Sequence, residues 1–121
     1  MKHGEFDADN MALLSVGRHF RLSEKARLVV GRDEGENNLL ESLVKPGDIV
    51  FELTDHEGPT SLLRGETGGD IIKLAAGITA YHTKFRHEAS VGINYLKGSK
   101  PDKMKIPVKP AEKEDIEPLR I

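Results

Sequence analysis

The sequence predicts an α+β domain with the element order ββαββαββ and a mainly antiparallel sheet. Three observations carry this. Short β-branched or alternating runs recur in pairs joined by turn residues, and two stretches repeat apolar residues at helical spacing. Each helical stretch separates one pair of runs from the next, so short hairpins supply most of the strand pairing. At 121 residues the chain has the size of one domain, burying roughly two thirds of its unfolded surface around a single core.

Residues 1–12 are polar and aperiodic and read as a disordered leader, or an expression remnant, ahead of a folded region at 13–109. From Leu13 to Leu22 the pattern alternates loosely, Ser23–Ala26 reads as a turn, and Arg27–Arg32 is a β-branched run ended by glycine. Asp33 can cap a helix in which Asn37, Leu40, Leu43 and Val44 fall at helical spacing, stopped by Pro46-Gly47. Asp48–Thr54 is strand-like, Gly58-Pro59 marks a turn, and Thr60–Gly65 supplies the next strand. A second helix, with Asp70 as its expected cap, places Ile71, Leu74, Ala75, Ile78 and Tyr81 or His82 on one face with small residues between them. Val91–Leu96 and Lys103–Val108 alternate again across a turn at Gly98–Asp102, and 110–121 reads as a flexible acidic tail.

Composition narrows the function classes. The absence of cysteine removes disulfides, thiolate nucleophiles and cysteine-ligated zinc, and fits a reducing, cytoplasmic setting. No apolar run approaches the ~18 residues of a membrane span, and no signal-peptide order opens the chain, so no membrane partner is expected. A net charge of −2 argues by itself against nucleic acid, which needs clustered Lys and Arg. The distribution tells otherwise: residues 1–81 carry 9 basic and 14 acidic groups, 82–109 carry 7 and 2, and 110–121 carry 2 and 4. A late basic segment, Lys84 to Lys109, is thus flanked by acidic sequence.

Catalytic and metal constellations are thin. His82 and His87 are five apart and do not share a helical face, and H-E-x-x-H, G-x-S-x-G and the G-x-x-x-x-G-K-[ST] phosphate loop are all missing. Asp55-His56-Glu57 could do acid–base work in a small hydrolase, yet ahead of Gly-Pro it reads as turn chemistry. Gly65, Gly68 and Gly69 precede a helix, but Glu66 and Asp70 would repel a phosphate there. No enzyme, cofactor or metal site is therefore expected. The remaining signal is basic residues near strand ends: Arg18, His19 and Arg21 on the first strand, Lys25 and Arg27 across its turn, and Arg32 after the second. On alternation Arg18 faces with Phe20 and opposite Arg21. Six aromatic residues without a ladder favour shape and backbone recognition over base stacking.

The runs RLVVGRDEGENNLL, PGDIVFELTDHEGPTSLLR and LAAGITAYHTK resemble the RNA-binding domain of NFACT proteins, with the likeness spanning residues 13–109. Asp48, Gly58, Pro59 and Arg64 match that family's strand-turn-strand pattern, and Ala75, Ala76, Tyr81 and Lys84 its helix. Glu52 and Thr60 stand where the family has histidines. The leading VGRHFRL followed by VGRDEGEN looks closer still to a variant appended to tRNA 2-thiouridylase-like proteins, whose catalysis belongs to a separate ATP-pyrophosphatase domain. The resemblance implies a non-catalytic module that binds structured RNA, tRNA first and not DNA, beside a tRNA-thiolating ATP-pyrophosphatase or a ribosome-associated partner. It implies RNA contacts at Arg18, His19, Arg21, Arg32, Asn37, Lys84, Arg86 and Lys97 on one basic face, with the acidic stretches on another. The alternative is a protein-interaction module that docks a separate enzyme or ribosomal protein, with acidic residues 33–57 suited to a basic partner.

Overall fold

The computed structural model describes residues 13, 15–98 and 103–121; the expected leader and all but the first residue of the expected Gly98–Asp102 turn lie outside them. Three hairpins alternate with two helices: β1 (Arg18–Ser23) with β2 (Ala26–Val30), α1 (Glu34–Ser42), β3 (Ile49–Leu53) with β4 (Ser61–Gly65), α2 (Gly69–Tyr81), and β5 (Val91–Lys97) with β6 (Lys103–Val108). They build one sheet in the order β1-β2-β4-β3-β5-β6, and every neighbouring pair is antiparallel. The α+β class and the element order read from the sequence hold.

Directly opposed residues share a face of a sheet, so the register sorts the side chains. Phe20, Leu28, Leu63 and Ile49 form one row across β1, β2, β4 and β3. All four are fully buried, in the same cluster as Ala75, Ala76, Ile78 and Ala80 of α2. The opposite face is covered in part by α1, where Leu40 packs with Val29, Leu62, Leu13 and Val16. Each such leucine or phenylalanine contributes about 1.5–3 kcal/mol by leaving water.

The first helix starts as its sequence predicts. Asp33 is extended at φ −156°, and its Oδ1 accepts the Glu36 N–H at 2.8 Å. The second does not: α2 begins one residue before Asp70, Gly68 takes the cap position, and no side chain caps it. Asp70 instead lies in the first turn, where a carboxylate favours the positive end of the helix. Upstream of the cap, the φ of +105° at Gly65 and its close approach to the Lys25 carbonyl admit no side chain.

The last segment is not a flexible tail. Lys113–Ile116 forms a short helix, α3, followed by a 3₁₀ turn at Glu117–Leu119. Ile116 is buried in the same cluster as Phe20, with Leu119 packed against it. The segment reaches α3 by crossing the outer side of α2, where the Ala111 N–H donates to the Gly77 carbonyl at 3.0 Å. Gly77 is small because a β-carbon there would stand 3.3 Å from the Lys109 carbonyl oxygen. Ile116, Leu119 and Ile121 among acids are too few to show a period, so the segment reads as solvated although it packs.

Candidate nucleic-acid interface

One end of the sheet carries a cleft of about 610 Å³ walled by Arg18, Arg32, Asn37, His56, Thr60 and His82 among others. Arg18 enters it from the start of β1, and His82 from the C-terminus of α2. The His82 ring packs on Phe20 with centroids 5.6 Å apart, and its Nδ1 lies 2.9 Å from the Ile78 carbonyl oxygen. A carbonyl can only accept, so Nδ1 carries the proton and Nε2 is left as an acceptor. Burial lowers the pKa of His82 below 6.5, and the charges of Arg18, Arg120 and Arg86 lower it further. The imidazole is therefore neutral at pH 7, amid three guanidinium groups.

None of those three arginines forms an ion pair among the described residues. Arg86 instead sits 5.4 Å from the centre of the Tyr81 ring. Positive charges gathered without carboxylates repel one another, and an anion with several oxygens relieves that repulsion. Glu34, Glu41, Glu52 and Glu57 line the same cleft. The expectation that acidic stretches occupy a separate face is thus overturned. The reason is that α1 and the β3–β4 turn, both rich in carboxylates, converge on the same end of the sheet as β1.

The eight residues singled out from the sequence separate into groups. Arg18 and Arg86 meet around His82, with Lys84 exposed in the same turn as Arg86 and 5.5 Å from the centre of the Phe85 ring. Arg32 borders the cleft but is clamped by Glu36, which accepts from its Nε at 3.0 Å and its Nη2 at 2.7 Å. These bonds hold the Glu36 carboxyl at a pKa of about 2. Asn37 is consumed inside the fold: its Oδ1 accepts the Thr60 N–H at 3.0 Å, and its Nδ2 donates to the Gly58 carbonyl at 3.3 Å. His19 lies beneath Leu13 and Val16, and both ring nitrogens are buried without a hydrogen-bond partner among the described residues. Carbonyls of Val16 and Leu13 favour its protonation, but burial outweighs them, aided by Arg27 and Arg32, and lowers its pKa.

Two of the eight face elsewhere. Arg21 points to the sheet face opposite Arg18, directly across from Arg27, an unfavourable pairing of like charges. Lys97 is paired with Ile49 four strands away from β1. The single basic face expected from the sequence is therefore replaced by a cluster at one end. Arg120 belongs to that cluster and is missed by sequence reasoning because it lies in the segment read as a tail; the apolar Ile116, Leu119 and Ile121 around it are the signal. Asp55, His56 and Glu57 form a turn with Asp55 at φ +60°, and His56 hydrogen-bonds to neither acid. His56 instead packs on Phe85, centroids 4.7 Å apart. Of the two departures from the family pattern, Glu52 pairs with Lys103 at 3.0 Å and Thr60 is buried, its backbone held by Asn37.

A sequence model of the family described as NFACT protein RNA binding domain matches residues 17–120. The chain belongs to that family. Membership makes this NFACT RNA-binding domain an RNA-binding module, and the matched span includes the C-terminal segment through Arg120. The structure is also similar to that of the C-terminal part of the fibronectin/fibrinogen-binding protein from Streptococcus suis, with a TM-score of 0.76 and 20% identity. The match covers 88% of this chain, and the chain spans half the length of that one, a likeness of fold. A search of curated proteins finds no match.

Proposed function

We propose that this NFACT RNA-binding domain holds structured RNA, tRNA first, by the sugar-phosphate backbone at the end of the sheet where Arg18, Arg86 and Arg120 surround His82. The observation that carries the reading is this set of three arginines without a carboxylate partner among the described residues, placed around an imidazole that stays neutral. Phosphate oxygens supply the missing acceptors, and the guanidinium fork suits them. The domain itself positions RNA, and chemistry belongs to a cytoplasmic partner, a tRNA-thiolating ATP-pyrophosphatase or a ribosome-bound assembly. The likeness of VGRHFRL and VGRDEGEN to the thiouridylase-associated variant supports the first of these.

Fluorescence anisotropy with bulk tRNA across a salt series tests the proposal. Binding must weaken as salt rises, with a log–log slope of roughly −0.7 to −0.9 per phosphate neutralised. DNA of matched length must bind more weakly, since only RNA offers 2′-hydroxyls. Salt-independent binding, or no binding at low salt, defeats the reading.

A second reading has one supporting observation. The structural neighbour is named a fibronectin/fibrinogen-binding protein, and here exposed Glu34 and Glu41 on α1 offer acidic contacts to a basic protein. A partner captured equally with and without nuclease treatment would favour it.

A further inference from the structure

We infer that the domain also takes a single unpaired nucleobase, in a recess that opens beside the arginine cluster. The inference rests on the RNA-binding reading and adds to it a base-binding pocket. The recess measures about 160 Å³, and Leu53, His56, Phe85, Glu88 and Ser90 are among its walls. Leu53 and His56 also wall the larger cleft that holds Arg18 and His82, so the two hollows share a border. An RNA backbone following the arginines would pass the mouth of the recess.

The walls have the chemistry of a base site. Phe85 is fixed: its N–H donates to Thr83 Oγ1 at 3.0 Å, and its carbonyl accepts the Glu88 N–H at 2.9 Å. Thr83 is itself buried and donates to the Ala80 carbonyl at 2.7 Å, which ties the turn to the end of α2. The Phe85 ring is half-buried against the core, whereas His56 is exposed. The two rings touch at 48°, one anchored and one free to align with a third ring. Lys84 stands 5.5 Å from the Phe85 centroid, close enough to meet the phosphate of a nucleotide stacked there. Aromatic and imidazole rings beside cations are how proteins hold splayed-out bases of unpaired RNA.

The polar edge sets a preference. Glu88 is exposed and has no ion pair among the described residues, and an ionised carboxylate can only accept hydrogen bonds. It therefore suits a base that presents N–H groups at its edge. Guanine offers two adjacent donors, N1–H and the 2-amino group, that match the two carboxylate oxygens; uracil offers one. Sequence pattern gives no warning of this site, because two of its rings come from positions 29 residues apart and one is a histidine in a turn.

The test uses two RNA hairpins of equal length, one fully paired and one with a single bulged guanosine, titrated against the full chain. The bulged hairpin is expected to bind about tenfold more tightly, the equivalent of one base stack. A bulged 2-aminopurine in its place should lose fluorescence on binding. His56→Ala, at an exposed position that leaves the core intact, should abolish both the preference and the quenching, and Glu88→Gln should abolish the preference for guanosine over uridine in the bulge. Arg18→Glu should weaken both hairpins by the same factor. If both hairpins bind equally and both weaken with salt, the base site is refuted while the RNA reading stands. A preference that survives His56→Ala also refutes it. If neither hairpin binds at low salt, both readings fall.

Discussion

A β-carbon added at Gly31 would overlap the side-chain oxygen of Asn37 and stand 3.3 Å from its carboxamide carbon. That oxygen accepts the Thr60 N–H while the amide nitrogen reaches the Gly58 carbonyl, so Gly31 and Asn37 together lock the β3–β4 loop onto α1. Gly31→Ala is expected to destabilise the fold by about 1–3 kcal/mol through overpacking. Asn37→Ala should cost about 1–3 kcal/mol by leaving the Thr60 N–H without its partner. Urea denaturation measures both. A neutral Gly31→Ala would mean that the loop yields freely.

Asp48 and Arg64 make the second lock. Asp48 is 3% exposed, and its carboxylate receives Arg64 Nη2 at 2.7 Å, Arg64 Nε at 3.0 Å and the Lys45 N–H at 2.8 Å. Removing one partner strands a buried charge, so Asp48→Ala should cost about 3–5 kcal/mol. Arg64→Met in the same background should cost little more, because the charge it would strand is already gone. A double-mutant cycle measured by thermal unfolding reads the coupling; additive losses would contradict the pairing.

RNA affinity should separate the arginines that look equivalent in sequence. Arg18→Glu is expected to weaken tRNA binding by on the order of 1 kcal/mol or more at moderate salt. Arg32→Glu should weaken it less, because Arg32 is already occupied by Glu36. Lys97→Glu changes net charge equally but sits four strand spacings from β1, about 19 Å, beyond the ~8 Å Debye length at physiological salt. It serves as the control and should leave affinity nearly unchanged. Glu41→Lys in the same cleft should strengthen binding. Equal losses for Lys97→Glu and Arg18→Glu would show net charge at work rather than this cluster.

Acid should unfold the domain in two stages. His19 and His82 have pKa values lowered below 6.5, chiefly by burial, so the unfolded chain takes up protons at a pH where the folded one refuses them. Stability falls as pH drops below 6.5. Glu36 works in a lower window: its pKa is depressed from 4.5 to about 2 by hydrogen bonds from Arg32, so its contribution is complete above 4.5 and lost between there and about 2. Melting temperature measured against pH should show both declines, and Glu36→Gln should flatten the lower one alone. NMR titration of the His82 ring should place its midpoint below 6.5.

Much of the fold is legible in the sequence because its signals are local. Asp33 before an amphipathic run, Gly58-Pro59 between two alternating runs, and glycine after β2 each act within a few residues, and all six strands follow. The candidate site is less legible because it is assembled across the chain. Alternation separates Arg18 from Arg21 correctly, but it says nothing of how far apart Arg18 and Lys97 lie, which depends on the strand order. Asn37 reads as a polar contact residue, whereas its role depends on a loop 23 residues away. Arg120 is hidden because Ile116 and Leu119 mark a packed segment only once α2 and β1 are in place to receive them.

The C-terminal residues that dock on β1 have a consequence for how copies of the domain behave toward one another. A six-stranded open sheet has two edges, and each exposes backbone groups that can recruit a foreign strand. At β1 that edge is partly occupied, since Arg120 bridges to Phe20 and the Ile121 N–H donates to the His19 carbonyl at 3.1 Å. At β6 the exposed edge carries Lys103, Lys105 and Pro107, charges that repel a like strand and a residue with no N–H to offer. The packing that brings Arg120 to the arginine cluster thus also guards against aggregation, and loss of the last residues would uncover the β1 edge as a template for strand-to-strand association between copies.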